Sequence, residues 1–154
     1  NQLTARILKT VEAGDAVFLL KGFAGLAGRQ VPTALEGRFP LKDLDVTVRF
    51  AGRETVLSIR PNGKVDEFPE NEKVVIHQVN LKISENDYVP LPLVVTDYNG
   101  VHLLWAGDLD GDNRLDFLFE DSGYNFSSQR LFLSSVAKPG EHLKEVAQFY
   151  STGC

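Results

Sequence analysis

The chain has 154 residues, 43% of them hydrophobic and 24% charged, which suits one folded domain with a real core and excludes a disordered chain. Its 21 acidic side chains against 16 basic ones leave a net charge of −5, with no basic run or aromatic–basic stripe, so nucleic acid and anionic membrane are not expected partners. The longest apolar runs, residues 16–20 and 89–95, fall far short of the roughly 18 residues of a membrane span.

The chain does not open on methionine and shows no secretory leader, so its natural start is expected to have been removed, by processing or by cloning. "LTARILKTV" (3–11) and "AVFLLKGF" (16–23) are the first two strand candidates. Residues 25–40, "GLAGRQVPTALEGRFP", read as a loop. Gly22, Gly25 and Gly28 recur every three residues but lack the ending of a phosphate loop and the spacing of a dinucleotide fingerprint. They suit a flexible, small-residue loop; the alternative is a mobile lip on a binding surface, with Arg29 as its polar contact.

From residue 43 the pattern alternates. "DLDVTVRF" (43–50) puts Leu44, Val46, Val48 and Phe50 on one side, and "AGRETVLSI" (51–59) turns at Ala51-Gly52 and returns, which predicts a hairpin. "RPNGKVDEFPENE" (60–72) reads as a second loop. "KVVIHQVNLKI" (73–83) places Val75, His77, Val79, Leu81 and Ile83 on one face. Tyr98-Asn99-Gly100 supplies a tight turn, so strands near 91–96 and 101–106 are expected to pair. "RLDFLFED" (114–121) and "QRLFLSSV" (129–136) are further strands. "GEHLKEVAQFY" (140–150) suits a short helix or a closing strand, and the strand is preferred. No strand–helix alternation suggests a parallel sheet. The expected fold is all-β: one domain over 1–154, an antiparallel sandwich or open barrel, with a loop-bearing hairpin at about 101–121.

That loop, "GDLDGDNRLDF" (107–117), carries Asp108, Asp110, Asp112 and Asp116 at positions 1, 3, 5 and 9. Crowded carboxylates in a partly dry turn repel one another, and without a counter-ion some must protonate or splay. One divalent cation relieves this. Hard cations such as Ca²⁺ take six to eight oxygens. Asp108, Asp110 and Asp112 alternate as such a shell requires, the backbone carbonyl of Arg114 stands at position 7, and Asp116 can close the shell. Gly111 allows a sharp bend. The expected metal ligands are therefore Asp108, Asp110, Asp112, Arg114 through its carbonyl, and Asp116, with Ca²⁺ as the ion and the Arg114 side chain free to point away.

"GDLDGDNRLDFLF" resembles the calcium loop of FG-GAP (VCBS-like, integrin α-type) repeats at Gly107, Asp108, Asp110, Gly111, Asp112 and Asp116. It departs at Asn113, where that family has Gly, and Asn tolerates the same left-handed backbone. The resemblance implies a Ca²⁺ site at the four aspartates. It covers about 25 residues and one copy, so it carries the loop and not the multi-bladed propeller. An EF-hand fits less well, because Phe119 stands where that loop needs Glu and the flanks are strand-like. The C-terminal third of the chain also resembles the tail of bacterial secreted proteins.

Other residues have plainer readings. His77, His102 and His142 lack metal-ligand spacing, and His77 reads as a core histidine. Ser134-Ser135 reads as a strand running into a turn, with no nucleophile elbow nearby. Trp105 is expected to be a core anchor at the base of the hairpin, with sugar stacking beside Tyr98 and Tyr124 as the alternative. Residues 125–127, "NFS", match a glycosylation acceptor. Cys154 has no intrachain partner and reads as an inert thiol or as a bond to something outside the chain. The expected function is an extracytoplasmic calcium-binding β-domain, its calcium mainly structural, that binds a protein or glycan partner. The alternatives are a secreted hydrolase and an inhibitor or immunity protein of a secreted enzyme.

Overall fold

The computed structural model describes residues 4–5, 20–21, 30–41, 45–67, 73–84, 87–95 and 100–153. Every regular element among them is a strand: β1 (Thr4–Ala5), β2 (Leu20–Lys21), β3 (Thr33–Pro40), β4 (Val46–Phe50), β5 (Arg53–Glu67), β6 (Lys73–Ser84), β7 (Asp87–Val95), β8 (Gly100–Gly107), β9 (Asp116–Ser122), β10 (Phe126–Leu133) and β11 (Lys144–Thr152). The expected all-β class therefore holds. No helix long and apolar enough to cross a membrane occurs among the described residues.

The strands form two main antiparallel sheets. One has four strands in the order β4-β5-β6-β7, the other five in the order β11-β10-β9-β8-β3, and β1 pairs with β2 in a separate two-stranded ribbon. Among the described residues neither main sheet closes on itself, so the arrangement is sandwich-like and not a barrel. The Ala51-Gly52 hairpin forms as expected: Phe50 pairs with Arg53, and both turn residues take positive φ, +47° and +75°.

Period-two alternation explains the core. Val48, Leu57, Val79, Leu81, Leu91 and Leu93 of the four-stranded sheet meet Val101, Leu103, Phe117, Phe119 and Phe132 of the five-stranded one, all nearly or fully buried. Phe119 stacks on Phe117 at 5.9 Å and meets Phe132 edge-on at 5.6 Å. Toward the β11 edge, Arg130 closes this layer. Its guanidinium lies 5.8 Å from the Phe132 ring centre and pairs with Glu145 at 2.5 Å.

The outer face of the five-stranded sheet is apolar near the loop, where Leu118, Leu131 and Leu133 pack with Leu104, Trp105 and Val146. A β-bulge sets this up. Leu103 pairs with Phe119 and Trp105 with Leu118, so Leu104 is the extra residue and both 104 and 105 reach the outer layer.

Three expectations change. Strands 91–96 and 101–106 do not pair: β7 pairs with β6, β8 pairs with β3 and β9, and the chain changes sheet between them. The turn at Tyr98-Asn99 lies outside the described residues. The loop expected at 25–40 contains β3, an edge strand whose alternation is broken by two register shifts and by Gly37 at φ +145°. The loop expected at 60–72 is strand as far as Glu67, because a register shift between Pro61 and Val65 absorbs the turn-forming Pro-Asn-Gly. The 140–150 segment is strand, as preferred, within β11. Of the first two strand candidates, only Thr4–Ala5 and Leu20–Lys21 lie among the described residues.

Candidate metal centre

The aspartate loop connects β8 to β9 at the end of the expected hairpin, whose last pair is Gly107 with Asp116. Both flanks are strands, which agrees with setting an EF-hand aside. The base of the loop is held tightly. Asp108 donates its backbone N–H to the Pro32 carbonyl at 2.9 Å, just ahead of β3. A Cβ on Gly107 would lie 2.4 Å from that same oxygen and 2.4 Å from the Trp105 ring, so only glycine fits. Trp105, half-buried on the outer layer, donates from Nε1 to Thr33 Oγ1 at 3.1 Å. It anchors the hairpin as expected, though outside the sandwich core.

Within the loop Gly111 has φ +88° and Asn113 has φ +64°. Asn thus takes the left-handed conformation at the position where glycine was the alternative. These bends turn successive N–H groups inward. Asp108 Oδ1 accepts from Gly111 N at 2.5 Å and Asp112 N at 3.0 Å, and its Oδ2 accepts from Asn113 N at 3.1 Å. Asp116 is fully buried and accepts from Leu109 N at 2.8 Å and Ser134 N at 2.9 Å, with the Ser134 hydroxyl at 3.2 Å. Asp110 Oδ2 accepts from the Ser135 hydroxyl, while its Oδ1 is buried with no hydrogen-bond partner.

Asp108, Asp110 and Asp116 converge. One carboxylate oxygen from each lies within 4.8 Å of the other two, so this acidic trio could hold a metal ion. An ionised carboxylate has about four lone-pair sites. Asp108 and Asp116 each spend about three on the contacts above, leaving roughly one apiece, and Asp110 keeps all the capacity of Oδ1. Burial pushes the Asp116 carboxyl up to about 6 from an ordinary 3.8; hydrogen bonds from Ser134 and Leu109 oppose this, and the nearby Asp110 charge adds to it.

Asp112 is placed differently. It accepts from the Arg114 backbone N at 2.8 Å and pairs with Arg114 Nε at 2.7 Å. The Arg114 side chain therefore folds onto Asp112 instead of pointing away, because this carboxylate is the nearest anion to a half-exposed guanidinium. Of the five expected ligand residues, the structure brings three carboxylates to one point and ties the other two residues to each other.

Sequence reading missed Ser134 and Ser135 as members of this site. Ser134 is buried and touches both Asp116 and Asp112. Nothing local marks them. Their contribution follows from β10 pairing beside β9, with Phe132 opposite Phe117, which leaves residues 134–135 next to the loop. The histidines stay out of the trio. His102 Nδ1 lies 3.9 Å from Glu120 on the outer face, and its pKa is lowered by burial and by Arg38 while Glu120 opposes this. His142 is exposed. Tyr124 is fully exposed, with no stacking partner among the described residues. The side chain of His77, Gly22, Gly25, Gly28, Arg29 and Cys154 lie outside the described residues. No family model matches the chain, and neither a curated protein nor a solved structure matches it.

Proposed function

We propose that the 108–116 loop binds one Ca²⁺, that the ion chiefly fixes the β8–β9 hairpin against β3 and the end of β10, and that the domain works outside the cytoplasm as a binding module for a protein or glycan. The observation that carries this reading is the convergence of Asp108, Asp110 and Asp116 with Asp110 Oδ1 buried and unpartnered. A buried anionic oxygen without a donor is costly unless a cation meets it. The donor set is all oxygen, which selects hard cations over zinc or copper. Opposite oxygens in a calcium shell stand roughly 4.6–5.2 Å apart, and the trio fits inside that span.

Asp112 and the Arg114 carbonyl complete the proposed shell, in keeping with the FG-GAP-like spacing, and the guanidinium must release Asp112 for that carboxylate to join. An extracytoplasmic location follows from affinity. A loop with several oxygens already committed to N–H groups makes a weak site, and only extracellular calcium is abundant enough to fill one. The test is isothermal titration with Ca²⁺ and with Mg²⁺, beside thermal melts in Ca²⁺ and in chelator. Saturable one-site Ca²⁺ binding with a higher melting temperature supports the reading. Equal melts in both conditions with no heat of binding reject it.

A further inference from the structure

A cavity of about 260 Å³ lies beside the aspartate loop, between the two sheets and segment 141–143. Phe50, Leu81, Leu115, Phe117 and Leu143 give it an apolar floor. Its rim carries Arg53, Lys82, Arg114 and His142 against two acids, Glu54 and Glu141. Of the acids, Glu54 is offset by Arg49 at 2.9 Å, whereas Glu141 accepts only the neutral Lys138 backbone N–H at 3.2 Å and keeps its charge, one acid against the two cations Arg53 and Lys82. Arg114 is engaged by Asp112. Arg53 and Lys82 form no ion pair among the described residues, and the Lys82 ammonium stands 6.0 Å from the Tyr88 ring centre. The uncommitted charge at this mouth is therefore positive, on a protein whose net charge is −5.

We propose that this cavity is a binding site for a small organic carboxylate with an apolar body about the size of one aromatic ring. The apolar part would rest on the Leu81–Phe117 floor and the carboxylate would meet Arg53 and Lys82. The volume is below that of most drug-sized sites, which limits the occupant to a single ring or short chain. An apolar floor with two cations free of ion pairs suits this chemistry better than it suits inorganic phosphate, which gains nothing from the floor, or a polyanion, which the overall charge repels. The same chemistry is offered by a free aryl or alkyl acid and by the carboxylate of a chain ending in an apolar residue. The assignment does not depend on a cation filling the loop.

The experiment is a titration followed by ¹H–¹⁵N NMR, in chelator and again in Ca²⁺, with phenylacetate, phenylacetamide and N-acetylphenylalanine as probes. Phenylacetate is expected to shift the amides of Arg53, Lys82, Leu115 and Leu143 saturably. Phenylacetamide, which lacks the charge, should bind about tenfold more weakly. N-acetylphenylalanine separates the sources: tighter than phenylacetate indicates a chain end, weaker a free acid, and both support a carboxylate site. The double variant Arg53→Glu with Lys82→Glu should lose about tenfold in affinity. If that variant fails to fold, salt supplies the readout on the parent protein, since screening should weaken phenylacetate and leave phenylacetamide unchanged. Equal binding of acid and amide, shifts that map elsewhere, or no saturable shift would overturn the proposal.

Discussion

Replacing Asp110 with Asn tests the charge logic of the loop most directly, because it removes one unit of charge and almost no volume. Asp110 faces Asp108 and Asp116 with carboxylate oxygens within 4.8 Å. Two unit charges at that distance repel by about 3 kcal/mol at an effective dielectric of 20, and by about 1 kcal/mol at that of water. The lower figure is the better guide, since burial outweighs the Asp110 charge in raising Asp116. In chelator, Asp110→Asn should therefore stabilise the protein by about 1 kcal/mol, a rise of roughly 2–4 °C in melting temperature for a chain of this length. The Ser135 hydroxyl keeps an acceptor in the amide oxygen, so nothing is orphaned on that side. In Ca²⁺ the order should reverse. At about a hundredfold excess over Kd the parent gains about 2.7 kcal/mol from binding, and the variant, with a weaker site, gains much less. Scanning fluorimetry or calorimetry on both proteins in both conditions reads the crossing. A variant that melts below the parent in chelator, or that keeps the full Ca²⁺ increment, would refute the idea that like charges define this site.

The remaining tests address pH, packing and the hairpin base. Asp116 has its folded-state pKa raised to about 6 from 3.8, so its stabilising contribution is complete below about pH 3.8 and is lost as pH rises through about 6. Stability in chelator should then fall by about 2 kcal/mol between pH 4 and pH 7.5 from this group, as read by urea melts of the parent against Asp116→Asn. His102 acts in the opposite sense: its pKa is lowered, so its contribution is present above pH 6.5 and lost as pH falls, and His102→Gln removes that slope. Phe119→Ala should destabilise by about 3–5 kcal/mol in chemical denaturation, because the ring is fully buried against Phe117 and Phe132. Gly107→Ala should cost about 1–3 kcal/mol and reduce the Ca²⁺ response, since its methyl would press on the Pro32 carbonyl that receives the loop's first N–H.

Alternation and turn chemistry were enough to read most strands from Val46 onward, and the spacing of the aspartates pointed to the loop and its supporting hairpin. What the sequence concealed was partnership. Asn99-Gly100 signals a turn, but a turn signal does not say whether the next strand stays in the same sheet, and here β8 joins the other one. β3 was hidden because its alternation is broken by two register shifts, one between Thr33 and Leu35 and one across Gly37-Arg38 between Glu36 and Phe39. At the site, one-dimensional spacing treated the four aspartates as equivalent. Their neighbours separate them: Asp112 has a guanidinium two residues away, while Asp110 Oδ1 has nothing. Ser134 could not be found at all without knowing that β10 lies beside β9.

The length of the loop bears on its purpose. Two adjacent antiparallel strands can be joined by two to five residues. Here Asp108 to Leu115 intervene, with a non-glycine residue held at positive φ and a carboxylate whose ionised form is penalised by burial. Each feature is destabilising on its own, by about 1 kcal/mol or more for the left-handed residue. Solvation cannot account for them, since Asp108 and Asp116 are withdrawn from water. Capping accounts for part: Asp108 satisfies three N–H groups that the bends turn inward. But capping needs one carboxylate, and it gives no reason for Asp110 to converge on Asp108 and Asp116 with one of its oxygens buried and unpartnered. A cation at their common point turns that repulsion into attraction while leaving the N–H bonds to Asp108 and Asp116 in place, which is why a metal-binding role supports this arrangement better than a merely connecting one.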